Sequence, residues 1–339
     1  YSLPLINSYV IEVSNKNISK LKKIKSINAL YPNKTIDTQM NIVRDKVKCI
    51  NTKYTGKGIS IAFIDTGICK NNDFDSRIKC FYDVVNHKNY VYDDCGHGTH
   101  VAGICSGSGA NSNGKYRGIA PESNIVMIKA LDFEGKGTAS DVLTGIQWVA
   151  DNYKKYNIRI LNMSIGAGIT NTKDPLVRAA EILWDMGIVV VAAAGNNGPQ
   201  KGTISSPGIS KKIITVGSVD DINVPENDIG KSYSGRGPTK ECVIKPDVVA
   251  PGTNIISCLC EDNKNNNYYK SLSGTSMSTP IVSGAIALLL EKVPNLKPDD
   301  IKFMLKQSCH NLECSPNRQG WGLLDIENLL NREVIYVRK

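Results

Sequence analysis

Three short strings hold the residues best suited to chemistry. They are Ile64-Asp65-Thr66-Gly67, Gly96-His97-Gly98-Thr99-His100 and Gly274-Thr275-Ser276-Met277-Ser278-Thr279-Pro280. Together they supply a carboxylate, an imidazole and a hydroxyl, each among glycines or small residues that let backbone and substrate come close. A serine hydroxyl is a weak nucleophile until a base takes its proton. His97 is the candidate base for Ser276, and Asp65 the group that orients the imidazole and stabilises its protonated form. His97 is preferred over His100 because glycines flank it on both sides. Ser276 opens a long apolar stretch that reads as a helix, whose dipole favours negative charge developing at its start.

The elements that must position these groups follow from periodicity. Apolar runs at Ile59–Ile64, Ile125–Leu131, Ile158–Met163, Ile188–Ala194 and Ile213–Val216 read as buried strands. Helices are expected over Ser140–Tyr153, Asp174–Met186, Ser276–Glu291 and Pro298–Gln307, with Pro175 and Pro298 in first turns. Such alternation predicts a parallel sheet covered on both faces. In such sheets reactive groups gather at the carboxyl ends of strands. Asp65, Ser164 and Asn196 each follow one of the expected strands, so pattern alone puts them on one edge. Before Ile59, Ser8–Val13 reads as a strand, Ile18–Ile24 as a helix and Ile27–Pro32 as a second strand. That unit is too small to fold well alone.

Four blocks carry a family resemblance over roughly residues 41–332: IAFIDTGI (61–68), DDCGHGTHVAGI (93–104), VVVAAAGNNGP (189–199) and SGTSMSTP (273–280). With the order Asp, His, Ser, the chain resembles the subtilisin-like serine proteases. RGIAPESNIVMIKAL, YSGRGPT, KPDVVAPGTNIIS and QGWGLLDIENLL are most similar to the bacterial intracellular alkaline-protease branch. Ser278 departs from the family, which has Ala there.

The resemblance implies a three-layer α/β fold, with a mostly parallel central sheet, helices on both faces and a small N-terminal α+β segment. It implies a serine endopeptidase acting through an acyl-enzyme at Ser276, with Asn196 and the Ser276 N–H as oxyanion donors. Gly135-Lys136-Gly137 and Ser164-Ile165-Gly166 would form the two walls that pair with an extended peptide. Ala194, Gly195 and Asn197 would complete the substrate site, with Ser205 in the pocket wall. No cofactor is needed for the chemistry. Asp73 resembles a side-chain ligand of a structural calcium site. Ser206–Pro207 resembles a cis turn. Residues 1–40 resemble an inhibitory propeptide ahead of a peptidase domain over 41–339, with self-cleavage expected between about Lys34 and Arg44. A dedicated maturation protease, or a non-catalytic binding or signalling protein on the same fold, are the alternatives.

Composition bounds the partners. The net charge is +9, of which residues 1–40 contribute +4, and Lys20–Lys25 is the densest basic run. Basic residues are not interleaved with aromatics, so polypeptides rather than nucleic acid are the expected partners, and a monomer is expected. No stretch approaches the ~18 apolar residues of a membrane span. Residues 1–15 lack the pattern of a signal peptide. The ten cysteines form neither a CxxC pair nor a zinc spacing, and Cys258-Leu-Cys260 is too tight for an ordinary bridge. Free thiols are therefore expected, and with them a reducing, cytoplasmic setting. Cys95, two residues before His97, is expected beneath or beside the cleft.

Overall fold

The computed structural model describes the chain except residues 1, 4–7, 10, 12, 28, 30–38, 51, 170, 221, 223–231, 263–266 and 335–339. It divides into two units, Tyr1–Thr38 and Gln39–Lys339. The first holds β1 (Ser2–Leu3) paired antiparallel with β2 (Ser8–Tyr9), then α1 (Asn15–Leu21). The strand expected to Val13 is thus described only over Ser8–Tyr9, and the helix starts earlier than expected. Most of the strand expected at Ile27–Pro32, and the cleavage segment up to Thr38, lie outside the described residues.

The second unit opens with α2 (Gln39–Lys46) and is built on a seven-stranded, fully parallel sheet. Its strands are β3 (Ser60–Asp65), β4 (Ile78–Asp83), β5 (Asn124–Lys129), β6 (Ile158–Met163), β7 (Val189–Ala193), β8 (Ile214–Ser218) and β9 (Val248–Ala250). Their order is β4-β5-β3-β6-β7-β8-β9. Burial on both faces explains the near-continuous apolar runs: every residue of β3, β7 and β8 is buried.

Helices α3 (His97–Ser106), α4 (Ala139–Asn152), α5 (Pro175–Asp185) and α6 (Thr275–Lys292) follow the strands. A Thr138–Asp141 capping box starts α4, and Asp174 with Pro175 starts α5. α3 and α6 pack on each other and on the sheet, while α4 and α5 form a second pair against it. α6 is apolar all round because it is covered on every side; fifteen of its residues are buried. α7 (Pro298–Ser308), α8 (Pro316–Gln319) and α9 (Ile326–Asn331) complete the unit. No helix among the described residues is long and apolar enough to cross a membrane.

A separate antiparallel hairpin, β10 (Ile255–Asp262) and β11 (Asn267–Leu272), leads into α6. A disulfide joins Cys69, four residues after Asp65, to Cys260 in β10. This corrects the expectation that all ten cysteines are free thiols. The two lie 191 residues apart, and only the run of the Asp65 loop against the hairpin brings them together. The other eight are free, and Cys258 makes no bridge with its neighbour. Ser206–Pro207 is cis, as expected, and so are three other X–Pro bonds.

Candidate active site

Asp65 is the last residue of β3, and His97 is the first of α3. The two meet because α3 lies directly on the Asp65 loop. A Cβ on Gly98 would fall 2.2 Å from the Gly67 carbonyl oxygen, so only glycine permits that approach. His97 Nδ1 then lies 2.7 Å from Asp65 Oδ1. A carboxylate cannot donate, so Nδ1 carries the proton and Nε2 is left as a base. Asp65 is buried and its Oδ2 has no hydrogen-bond partner, which leaves its charge to act on the imidazole. Burial pulls the imidazole pKa down, but the Asp65 charge and hydrogen bond, helped by Asp93, outweigh it and the net shift is upward. His100, buried in the same helix, is held down to about 3 by burial; its Nε2 faces the Ile255 and Lys270 carbonyls.

Ser276 sits in the first turn of α6 behind Gly274, whose φ of 148° favours glycine. Its Oγ donates to the Ser164 carbonyl at 2.9 Å rather than to the imidazole. In return Ser164 Oγ donates to the Ser276 carbonyl at 2.9 Å. Pro280 explains that second bond. It stands four residues after Ser276 and has no N–H, so the Ser276 carbonyl lacks its helical donor and the Ser164 hydroxyl supplies one. Asn162 Nδ2 donates to Ser164 Oγ, and Ser283 Oγ donates to Asn162 Oδ1, which ties β6 to α6 through buried neutral groups.

Asn196 lies three residues after β7. Its Oδ1 accepts from the Thr275 N–H and hydroxyl, both at 3.0 Å. The backbone donor fixes the amide orientation and turns Nδ2 toward Gly274.

A cavity of 530 Å³ is lined by His97, Ser276, the two wall segments Gly135–Gly137 and Ser164–Gly166, and Cys95. Cys95 is therefore beside the cleft, as expected, opposite Gly135. Gly137 and Gly166 make no backbone hydrogen bond among the described residues. Ala194, Gly195 and Asn197 do not line this cavity. They close on Ser205 behind it: Ser205 N–H donates to the Ala194 carbonyl, and Asn197 Nδ2 donates to Ser205 Oγ at 3.1 Å.

Comparison with known proteins matches this arrangement to a family. The model of the Subtilase family, Peptidase_S8, covers residues 56–322. The chain belongs to the subtilase family. It is 41% identical over 336 residues to the serine protease AprX of Bacillus subtilis, covering 91% of this chain and 76% of the relative. It is 35% identical to subtilisin DY of Bacillus licheniformis, covering 84% of this chain and 95% of that one. Among solved structures, a cold-adapted subtilisin-like serine proteinase superposes with a TM-score of 0.66 at 33% identity, covering 81% of this chain and 91% of that one. Sphericase superposes with a TM-score of 0.71 at 27% identity, covering 84% and 96%. This subtilase is a serine endopeptidase with the three-layer fold of its relatives.

Sequence reasoning missed the groups that hold the start of α3 in this subtilase. Asp93 Oδ1 accepts from the Gly96 N–H at 2.7 Å and from Thr66 Oγ1 at 2.9 Å. Its Oδ2 accepts from the Thr99 N–H and hydroxyl. Lys129, fully buried, donates to the Thr66 and Leu131 carbonyls and pairs with Asp94. Asp93 stands three residues before the N-cap Gly96, outside the usual capping spacing, so no sequence signal marked it. The calcium expectation fails a test of fit. Asp73 Oδ1 accepts from the Asn111 N–H, and Oδ2 accepts from the Tyr269 hydroxyl and the Cys258 thiol. Three protein protons occupy that carboxylate, where a calcium ion needs free oxygens. No group of three His, Cys, Asp or Glu among the described residues is arranged to hold a metal.

Proposed function

We propose that Asp65, His97 and Ser276 are the catalytic triad, and that the enzyme cleaves peptide bonds through an acyl-enzyme. The observation that carries this is the 2.7 Å His97–Asp65 bond beside a cavity that His97 shares with Ser276. In this reading Ser276 Oγ leaves the Ser164 carbonyl to donate to Nε2 when substrate binds, since catalytic hydrogen bonds are often long or misaligned without substrate and tighten in the complex. Nε2 takes the hydroxyl proton as Oγ attacks the scissile carbonyl carbon. The oxyanion is met by Asn196 Nδ2 and the Ser276 N–H, which has no intrahelical partner in the first turn. The imidazolium gives its proton to the leaving amine. Water then repeats the sequence, releases the acid and restores Ser276.

The unpaired backbone of Gly137 and Gly166 suits an extended peptide laid between the walls. Glu134 is the one carboxylate among the described residues that line the cavity, and it is exposed and paired with Lys136. That favours broad specificity over selection of Arg or Lys. Residues 1–40 act in this reading as a propeptide removed by the enzyme itself between Lys34 and Arg44, and the released domain works as a monomer. The division between units after Thr38 falls inside that window. The Cys69–Cys260 bond weighs toward an oxidising compartment and against the reducing one expected from the cysteine pattern.

Ser276→Ala tests both steps. The folded variant is expected to hydrolyse no peptide, and mass spectrometry should find its N-terminus longer than that of the wild type. Wild-type turnover by the variant would refute the triad. Identical N-termini would remove self-cleavage while leaving the triad intact.

A further inference from the structure

The triad described above accounts for Asp65 and Asp93 near the imidazole, but not for Lys270. This residue sits half-buried on β11, the strand that runs into Ser276. Its backbone is fixed, paired with Ser257 across the hairpin and accepting from His100 Nε2 at 3.0 Å. Its ammonium lies against the residue before His97: a Cβ on Gly96 would be 3.2 Å from Lys270 Nζ. No carboxylate lies within ion-pair distance of it among the described residues. Gly96 is the N-cap of α3, the positive end of that helix. The nearby Asp93 carboxylate is already engaged by the helix start and Thr66. A half-buried cation therefore rests beside a positive helix end without a counter-charge of its own.

Its place relative to the cleft gives this charge a direction. The acyl half of a peptide lies in the cavity between the two walls, and Lys270 is not among the residues lining that cavity. The leaving amine takes its proton from His97, so the leaving half starts beside that residue, and Lys270 lies against its neighbour Gly96. We propose that Lys270 selects substrates carrying a carboxylate on the leaving-group side, one or two residues after the scissile bond. The proposal rests on the protease reading above. The carboxylate can be an Asp or Glu side chain or the free end of the chain, since an ammonium recognises both alike.

The test uses the whole enzyme and three peptides of one acyl sequence: a neutral leaving half with an amide end, the same with Glu, and the neutral one with a free terminal carboxylate. Wild type should favour each carboxylate peptide over the neutral one in kcat/KM by roughly 2–5-fold, the range of an exposed charge pair, and less at high salt. The gain of Glu against that of the free end tells which source is preferred. Lys270→Arg should keep the preference, Lys270→Met should lose it, and Lys270→Glu should reverse it toward a Lys-bearing leaving half. Lys270→Met should also raise the acid limb of the pH profile, because among Asp65, Asp93 and Lys270, the charged groups facing His97, only the lysine opposes the imidazolium. An unchanged ratio in Lys270→Met, with melting temperature preserved, overturns the proposal. A wild type that cleaves no peptide fails the protease reading instead.

Discussion

The two halves of the site are built from different materials. Around His97 the supports are charged: Asp65 buried with one oxygen unpartnered, Asp93 with five donors on it, Lys129 buried against Thr66, and Lys270 at the helix start. Around Ser276 they are neutral: the Ser164 carbonyl and hydroxyl, Asn162, Ser283, and Thr275 on Asn196. The difference matches the work. A group that gains and loses a proton needs its field set, and charges do that over several ångströms. A nucleophile and an oxyanion donor need their positions set, and short hydrogen bonds do that without biasing protonation.

This contrast can be broken at several points. Asp65→Asn should lower kcat by about 10⁴-fold, since an amide no longer enforces the tautomer, as the same change does in another serine protease. A fall under tenfold would show that the charge on this side is dispensable. Asn196→Ala should lower kcat by roughly 10²–10³-fold with KM little changed, the size of the loss on removing the corresponding oxyanion donor of a subtilisin. A rise in KM alone would contradict the oxyanion role.

The finest comparison sets Asp93→Asn against Asn162→Ala. His97 must be neutral to act as base, and its pKa is raised, so activity should fall as pH drops through a midpoint above the ~6.5 of free imidazole. Asp93→Asn removes one of the raising charges and should move that midpoint down. By the same linkage, the imidazolium's stabilising contribution is complete below about 6.5 and is lost as pH rises through the raised folded value. Asn162→Ala should leave the midpoint in place and destabilise the fold by about 1–3 kcal/mol, because Ser283 and Ser164 lose a buried partner. Chemical denaturation and pH-rate profiles on both variants decide it; matching pH shifts would erase the distinction between the halves.

Much of this was legible in the chain. The β3, β5, β6, β7 and β8 runs and α4 to α7 lie within two residues of where periodicity predicts, because burial on two faces writes long apolar runs. β4 and β9 were missed. β4 is only half-buried, and β9 is three residues long and ends at a proline. α3 was not given bounds, because its glycines weaken the helical pattern; packing on the Asp65 loop overrides that preference. The hairpin was missed as well. With it went the Cys69 partner and the place of Lys270, since neither follows from spacing along the chain. Asp65, His97, Ser276 and Asn196 were legible because small residues crowd around them, and the structure shows the close approaches that require those residues.

The Cys69–Cys260 bond also changes what damage means for this molecule. A protease is exposed to cuts by its own kind. Any single cut between residues 69 and 260 leaves the two pieces covalently joined. His97 and Asn196 lie inside that span, while Asp65 and Ser276 lie outside it. A chain cut once there therefore keeps all four groups in one covalent molecule. It runs as a single band on a gel without reductant and as two with it.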